Sequence, residues 1–234
     1  MVQNILVAGA TGRTGRIIVR KLQAHGYTTH ALVRNPVTAK ALLGEDIIFH
    51  QGDIRDLSTL QTAMPDMDAV ISAVGSKAPV GKNCPKRVDY EGVVNLVNTA
   101  KTYQVRRFVL ISSIAVTRPN HPLNCFGKVL DWKLKGEETL RDSGLDYAII
   151  RPGGLMDTPG GHQNLVFDQG DSILGMISRE DVADISVKAL EYPFPLQVTF
   201  EVIEAKEKSY PVNWTSLFDS FSRDTIANLS EDES

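Results

Sequence analysis

Gly9-Ala10-Thr11-Gly12-Arg13-Thr14-Gly15-Arg16, directly after the apolar run Ile5-Leu6-Val7-Ala8, reads as a strand, a tight glycine turn and a helix start. That arrangement aims backbone N–H groups and a helix N-terminus at a pyrophosphate. Gly9 allows the tight turn, Gly12 lets a cofactor backbone approach closely, and Gly15 lets the helix pack on the strand. A Gly-x-x-Gly-x-x-Gly string is common by itself. Its place at the first strand–helix junction of a long βα pattern makes it read as a dinucleotide site.

The type of dinucleotide is read one strand later. The second apolar run, 28–33, ends in Arg34, followed by Asn35-Pro36. NAD-preferring sites place Asp or Glu there to accept from the ribose hydroxyls, whereas a cation pairs with a 2′-phosphate. Arg34 therefore predicts NADPH over NADH, with Lys40 or Arg13 as a second positive contact.

Apolar runs alternate with helical patterns along most of the chain. Strands are expected at 4–8, 28–33, 47–51, 68–73, 107–112, 146–151 and 198–203. Helices are expected at 13–25, 37–43, 57–63, 86–103, 127–143, 179–190 and 213–221. This alternation predicts an α/β fold, a Rossmann-type doubly wound parallel sheet with helices on both faces. Ser178, with Glu180 and Asp181 behind it, marks a helix start, Gly144 a helix stop, and Pro85 suits the first turn of the helix carrying Tyr90. Residues 153–176 are glycine-rich and weakly periodic, as in a functional loop or lid. One domain over 1–221 is expected, with a small substrate or lid region at about 153–221 and a disordered acidic tail over 222–234.

With 234 residues, 42% of them hydrophobic, the chain can build one substantial core. A formal charge of −3 gives no general attraction to nucleic acid, and no basic stripe interleaves with aromatics. Basic residues gather only at Lys82, Lys86 and Arg87, and at Lys128, Lys133 and Lys135. The two cysteines, Cys84 and Cys125, are too few for a secreted disulfide framework. A thiol switch between their segments is a side hypothesis; idle thiols are the plainer account. No metal site is expected, because no Cys/His spacing suits one, and His121 and His162 read as loop residues. No apolar run is long enough to span a bilayer, and a strand begins almost at the first residue, so a cytoplasmic protein without a transmembrane segment is expected.

Ligands of an open parallel sheet sit beyond the carboxyl ends of its strands. The shortlist is therefore the glycine loop, Arg34, Gly52-Asp53-Ile54, Ala73-Val74-Gly75-Ser76, Ser112-Ser113 and Arg151-Pro152-Gly153-Gly154. Asp53 can accept from the adenine amine, the small residues at 73–75 permit close passage of the cofactor, and Ser112 and Ser113 place hydroxyls near the nicotinamide.

The strings GATGRTG, LVRNP, QGDIRD, FVLISSIAV, NHPLN, VLDWKLKGEETLRDSGLDYAIIRPGGL and ISREDVADISVKAL run in order from residue 2 to about 190. Through them the chain resembles the atypical short-chain dehydrogenase/reductases of the NAD(P)H-binding, NmrA-like group that includes biliverdin reductase B and flavin reductase, and most of all their plant and cyanobacterial members. The resemblance implies that Thr11, Gly12, Arg13, Thr14 and Gly15 contact the phosphates, Arg34 selects NADPH, and Asp53-Ile54 bind adenine. It further implies that Ser113 lies near the reacting end of the nicotinamide, that Lys133 hydrogen-bonds its ribose, and that Pro152-Gly153-Gly154 run beside the carboxamide. Monomers are the default of this group.

One departure bears on mechanism. The usual members of this superfamily carry a tyrosine general acid four residues before the lysine; Val129 stands there. Valine cannot donate a proton, which argues against Tyr–Lys carbonyl chemistry. Flavins, quinones and bilins accept hydride onto a conjugated ring and draw their proton from water or a nearby hydroxyl, with Ser113, Asp131 or Tyr90 as candidate helpers. The expected function is NADPH-dependent reduction of such a planar small-molecule acceptor, with Ser113 and Lys133 at the reacting end. The alternative is a non-catalytic NADP(H) sensor or photosynthetic assembly factor with a protein partner, since the broad group includes co-regulators and chloroplast proteins attached to translocons or photosystems. An isomerase or lyase has no residue pattern in its favour.

Overall fold

A computed structural model describes residues 2–161, 165–205 and 212–225. The elements in chain order are β1 (Asn4–Ala8), α1 (Arg13–Ala24), β2 (Thr28–Val33), α2 (Pro36–Leu43), β3 (Ile48–Gln51), α3 (Leu57–Ala63), β4 (Ala69–Ser72), α4 (Gly92–Thr102), β5 (Arg107–Ile111), α5 (Val129–Arg141), β6 (Tyr147–Pro152), β7 (Gly154–Met156), β8 (Leu165–Asp168), β9 (Met176–Ser178), α6 (Arg179–Glu191), β10 (Val198–Glu204) and α7 (Trp214–Ser220). The large sheet runs β3-β2-β1-β4-β5-β6-β10-β8. All its pairs are parallel except β8 on β10. The order reverses between β1 and β4, which opens the crevice where such sheets bind ligands.

The central strands are apolar throughout because both faces are covered. Ile5, Val7, Ile71, Val109 and Ile150 bury against Ile18 and Leu22 of α1 and Val182 and Ile185 of α6. Leu6, Val70, Phe108, Leu110 and Ile149 bury on the other face with Leu60 of α3, Leu96 and Val97 of α4 and Leu140 of α5. Capping follows the sequence closely. The Asn35 side chain accepts from Thr38 N and precedes Pro36 in α2, and Ser178 Oγ accepts from Glu180 N at 3.1 Å.

Three places differ from the periodic reading. Lys86–Glu91, expected as the first turns of a helix, is π-helical before it becomes α4. The wider turn brings the Asp89 carbonyl against α5, where a Cβ on Gly136 would lie 2.7 Å from it. The helix expected from 127 starts at Val129, because Gly127 and Lys128 both take positive φ. The stretch 153–176 holds β7, β8 and the start of β9; β7 and β9 form a separate parallel pair. Segments this short carry no legible period. In the polar tail, Asp224 accepts from Tyr147 Oη at 2.9 Å and from Thr199 Oγ1 at 2.6 Å, which ties residue 224 to β6 and β10. The remaining tail, 226–234, lies outside the described residues, as does His162.

At the β3 edge, His30 Nδ1 and His50 Nε2 share a proton over 2.9 Å with their rings stacked. Burial pushes both imidazoles below their ordinary value, and His50 lowers His30 further. Between the lowered folded value and the ordinary unfolded one, the unfolded chain binds more protons, so stability present above about pH 6.5 is lost as pH falls. Thermal melts should show Tm falling from pH 7.5 to 5.5, with a shallower fall in His50→Gln. An identical slope in that variant would remove the pair as the cause.

Candidate dinucleotide site

A cleft at the carboxyl ends of β1, β2, β3 and β4 is lined by Gly9, Thr11, Gly12, Arg34, Asp53, Ile54, Arg55, Ala73, Val74, Gly75, Lys77 and Asn83, among others. Its floor is set by sterics. Gly9 has φ +80°, and a Cβ there would lie 2.6 Å from Ala73 O. A Cβ on Gly15 would lie 2.2 Å from Gly9 O, so only glycine lets α1 begin this close to β1. Thr14 and Gly15 are buried, whereas Thr11 and Arg13 stand exposed at the lip. Arg13 is held by Asp157 at 2.7 Å, and Asp157 also pairs with Arg179 at 2.8 Å.

Where the adenine end is expected, Arg34 is exposed after β2 and lines the cleft. Lys40 turns to Glu45 at 3.0 Å. Asp53 is not a free acceptor. Arg55 grips its carboxylate through Nε at 2.8 Å and Nη2 at 2.5 Å, and these bonds hold the acid below the usual carboxylate range. Asn95 Nδ2 donates to Ile54 O at 3.1 Å and pins the same turn. Arg55, within the QGDIRD string, has no signal of its own in the sequence; the fold turns it to the cleft.

Where the nicotinamide end is expected, Val74, Asp89, Ser112 and Lys133 line a small recess. Lys133 Nζ lies 2.9 Å from Asp89 Oδ1, and Asp89 Oδ2 accepts from Ser76 N at 3.1 Å. The Asp89 side chain is fully buried. Asp89 carries no motif of its own in the sequence; the π-helical turn over Lys86–Glu91 brings it to Lys133. Tyr90 instead stacks on Trp132, ring centroids 5.6 Å apart, and Asp131 accepts from Asn124 Nδ2 at 2.8 Å. Both candidate helpers are thus occupied structurally. The two serines also separate. Ser113 Oγ donates to Ile114 O at 2.9 Å. Ser112 Oγ is buried without a partner beside Lys133.

Pro152, Gly153 and Gly154, at the end of β6 and the start of β7, line neither the cleft nor the recess, and the two glycine N–H groups are committed to Val202 O and Gly175 O at 2.9 Å each. The residues fit a dinucleotide: a side-chain-free cradle at Gly9, cations at one end and an orphaned buried hydroxyl at the other. Among the described residues no His, Cys, Asp or Glu cluster could hold a metal, and no helix is long and apolar enough to cross a membrane. Cys84 and Cys125 are free thiols. His121 caps a short 3₁₀ turn through Nδ1.

Residues 9–193 match the NAD(P)H-binding family. A chloroplastic protein of Arabidopsis thaliana is 37% identical over 212 residues, covering 80% of this chain and 65% of its own length. Sanguinarine reductase of Eschscholzia californica is 34% identical over 229 residues, covering 80% of this chain and 84% of its own. The photosystem II assembly factor Ycf39 of Synechocystis is 29% identical over 211 residues, covering 86% and 63%. Among solved structures, the anaerobilin reductase ChuY of Escherichia coli O157:H7 superposes with a TM-score of 0.74 at 25% identity, over 89% of this chain and all of that one. This chain thus spans less than two thirds of some relatives. The expectation of a cytoplasmic protein is overturned by these relatives, since the Arabidopsis protein and others like it are chloroplastic. From strand order, cleft and sequence together, the chain belongs to the NAD(P)H-binding family, with plant and cyanobacterial proteins among its relatives.

Proposed function

We propose that the protein is an NADPH-dependent reductase that passes hydride to a planar conjugated acceptor, a flavin, quinone or bilin. The carrying observation is the recess where Lys133, fixed by buried Asp89, lies beside the unpartnered Ser112 hydroxyl, with Val129 in place of a tyrosine. NADPH would supply the hydride. Lys133 and Ser112 would hold the nicotinamide ribose, Gly9 and Gly12 would admit the pyrophosphate, and Arg34 would engage the 2′-phosphate. The chain's contribution is to orient the donor carbon against the acceptor, which takes its proton from water or a nearby hydroxyl. Similarity to sanguinarine reductase and to ChuY supports a reductase.

NADPH oxidation against FMN, biliverdin and quinones tests this reading; saturable turnover of one acceptor supports it. Tight NADPH binding with no turnover on any would favour an NADP(H)-sensing or assembly role, which similarity to Ycf39 and the absent tyrosine also fit. Ser112→Ala should lower kcat/KM for NADPH about fivefold, the value of one hydrogen bond, and Ser113→Ala should change it less. The reverse ranking would return the role to Ser113.

A further inference from the structure

Arg34 and Arg55 leave neighbouring strand ends, since β2 and β3 pair in parallel with Val33 opposite Gln51. From there the Nη1 atoms of both guanidiniums converge on one neutral acceptor, Asn83 Oδ1, at 3.4 Å each. Like charges repel, so two guanidiniums meet at a point only where something draws them there. Arg55 is drawn by its grip on Asp53 and by the carbonyl of Lys82, which also accepts from Nη1. Asp53 offsets one of the two positive charges, and the other remains. Both contacts to Asn83 are long, so the amide oxygen satisfies neither guanidinium well.

An anionic oxygen shared by both would satisfy each with a charge-assisted bond. Position selects the anion: the pyrophosphate belongs at the glycine turn before α1, whereas the ribose 2′ position belongs beyond β2. Of the other cations, Lys40 turns to Glu45 and Arg13 to Asp157, whereas Arg55 keeps Nη1 at Asn83 beside Arg34 while it holds Asp53.

Resting on the NADPH reading above, we infer that Arg34, Arg55 and Asn83 form the specificity site for the 2′-phosphate. Arg55 is its second cation, and Asn83 is a neutral placeholder that the phosphate displaces. Asn83→Asp supplies an internal anion between the guanidiniums and competes with the 2′-phosphate.

The test is calorimetric binding of NADPH, NADH, 2′,5′-ADP and 5′-ADP to the full chain. Arg55→Gln should weaken NADPH and 2′,5′-ADP about tenfold, with NADH and 5′-ADP within about twofold, the loss of one charge-assisted contact. Asn83→Asp should weaken the 2′-phosphorylated ligands at least as much while its Tm holds or rises. Arg55→Lys keeps the charge without the fork and should fall between. Retained 5′-ADP binding certifies that each variant is folded; where Arg55→Gln fails it, Arg55→Lys and Asn83→Asp decide. If Arg34→Gln abolishes the NADPH preference but neither Arg55 variant nor Asn83→Asp alters it, the inference is overturned and the NADPH reading survives. A wild-type chain that binds NADH as well as NADPH overturns both.

Discussion

Lys133→Met is expected to lower stability by about 3–5 kcal/mol and to weaken NADPH turnover together, because it strands a fully buried carboxylate. Once the ammonium is gone, Asp89 is left with the Ser76 N–H at 3.1 Å to offset its charge. Removing Asp89 instead is a different experiment. Asp89→Asn can still accept from Ser76 N, so the stability loss should be smaller, but Lys133 loses its anchor and the KM for NADPH should rise. The double variant Lys133→Met/Asp89→Leu removes both charges and should recover much of the stability without recovering turnover. Denaturant melts and steady-state kinetics on the three variants separate the two roles. If the double variant regains turnover along with stability, Lys133 is a structural cation and has no part in holding the cofactor.

The large sheet was legible in the sequence because its signals are local. Ile5-Leu6-Val7-Ala8 is apolar on both faces, Asn35-Pro36 caps α2, and Ser178 caps α6, each readable within a few residues. The hidden features depend on chain segments far apart. β7 pairs with β9 through Gly154–Met156 against Met176–Ser178, three residues per strand and no repeat to see. Arg55 acquires meaning from Asn83, and Asp89 from Lys133 through a π-helical turn that a helical period cannot distinguish from α. Ser112 and Ser113 are chemically identical in the sequence. Strand geometry alone sends one hydroxyl to the recess and the other to its own chain. Cellular location is likewise not written in a core pattern, which is why relatives, rather than composition, corrected it.

In β6, Arg151 joins two carboxylates that have no exposure. Its Nη2 and Nη1 lie 2.7 Å from Glu137 and 3.0 Å from Glu201, and Arg141 adds a 2.7 Å bond to Glu137. Glu137 is one helical turn beyond Lys133 on α5, so this network sets where α5 lies against β6 and β10. Burial pushes the Glu201 carboxyl above its usual range even with Arg151 in place. Arg151→Met should therefore cost about 3–5 kcal/mol, the penalty for breaking a buried pair, and lower Tm by roughly 6–20 °C for a chain of this size. Part of the loss should return with Glu201→Gln in the same chain, because a neutral amide needs no counter-charge. If Arg151→Met melts within about 2 °C of wild type, the carboxylates are protonated in the native state and the network is not ionic; the Glu201→Gln partner would then change nothing further. Because the network fixes α5, the destabilised variant should also lose NADPH affinity below its melting range, and a variant that melts early yet binds NADPH normally would uncouple the buried ion pairs from the position of Lys133.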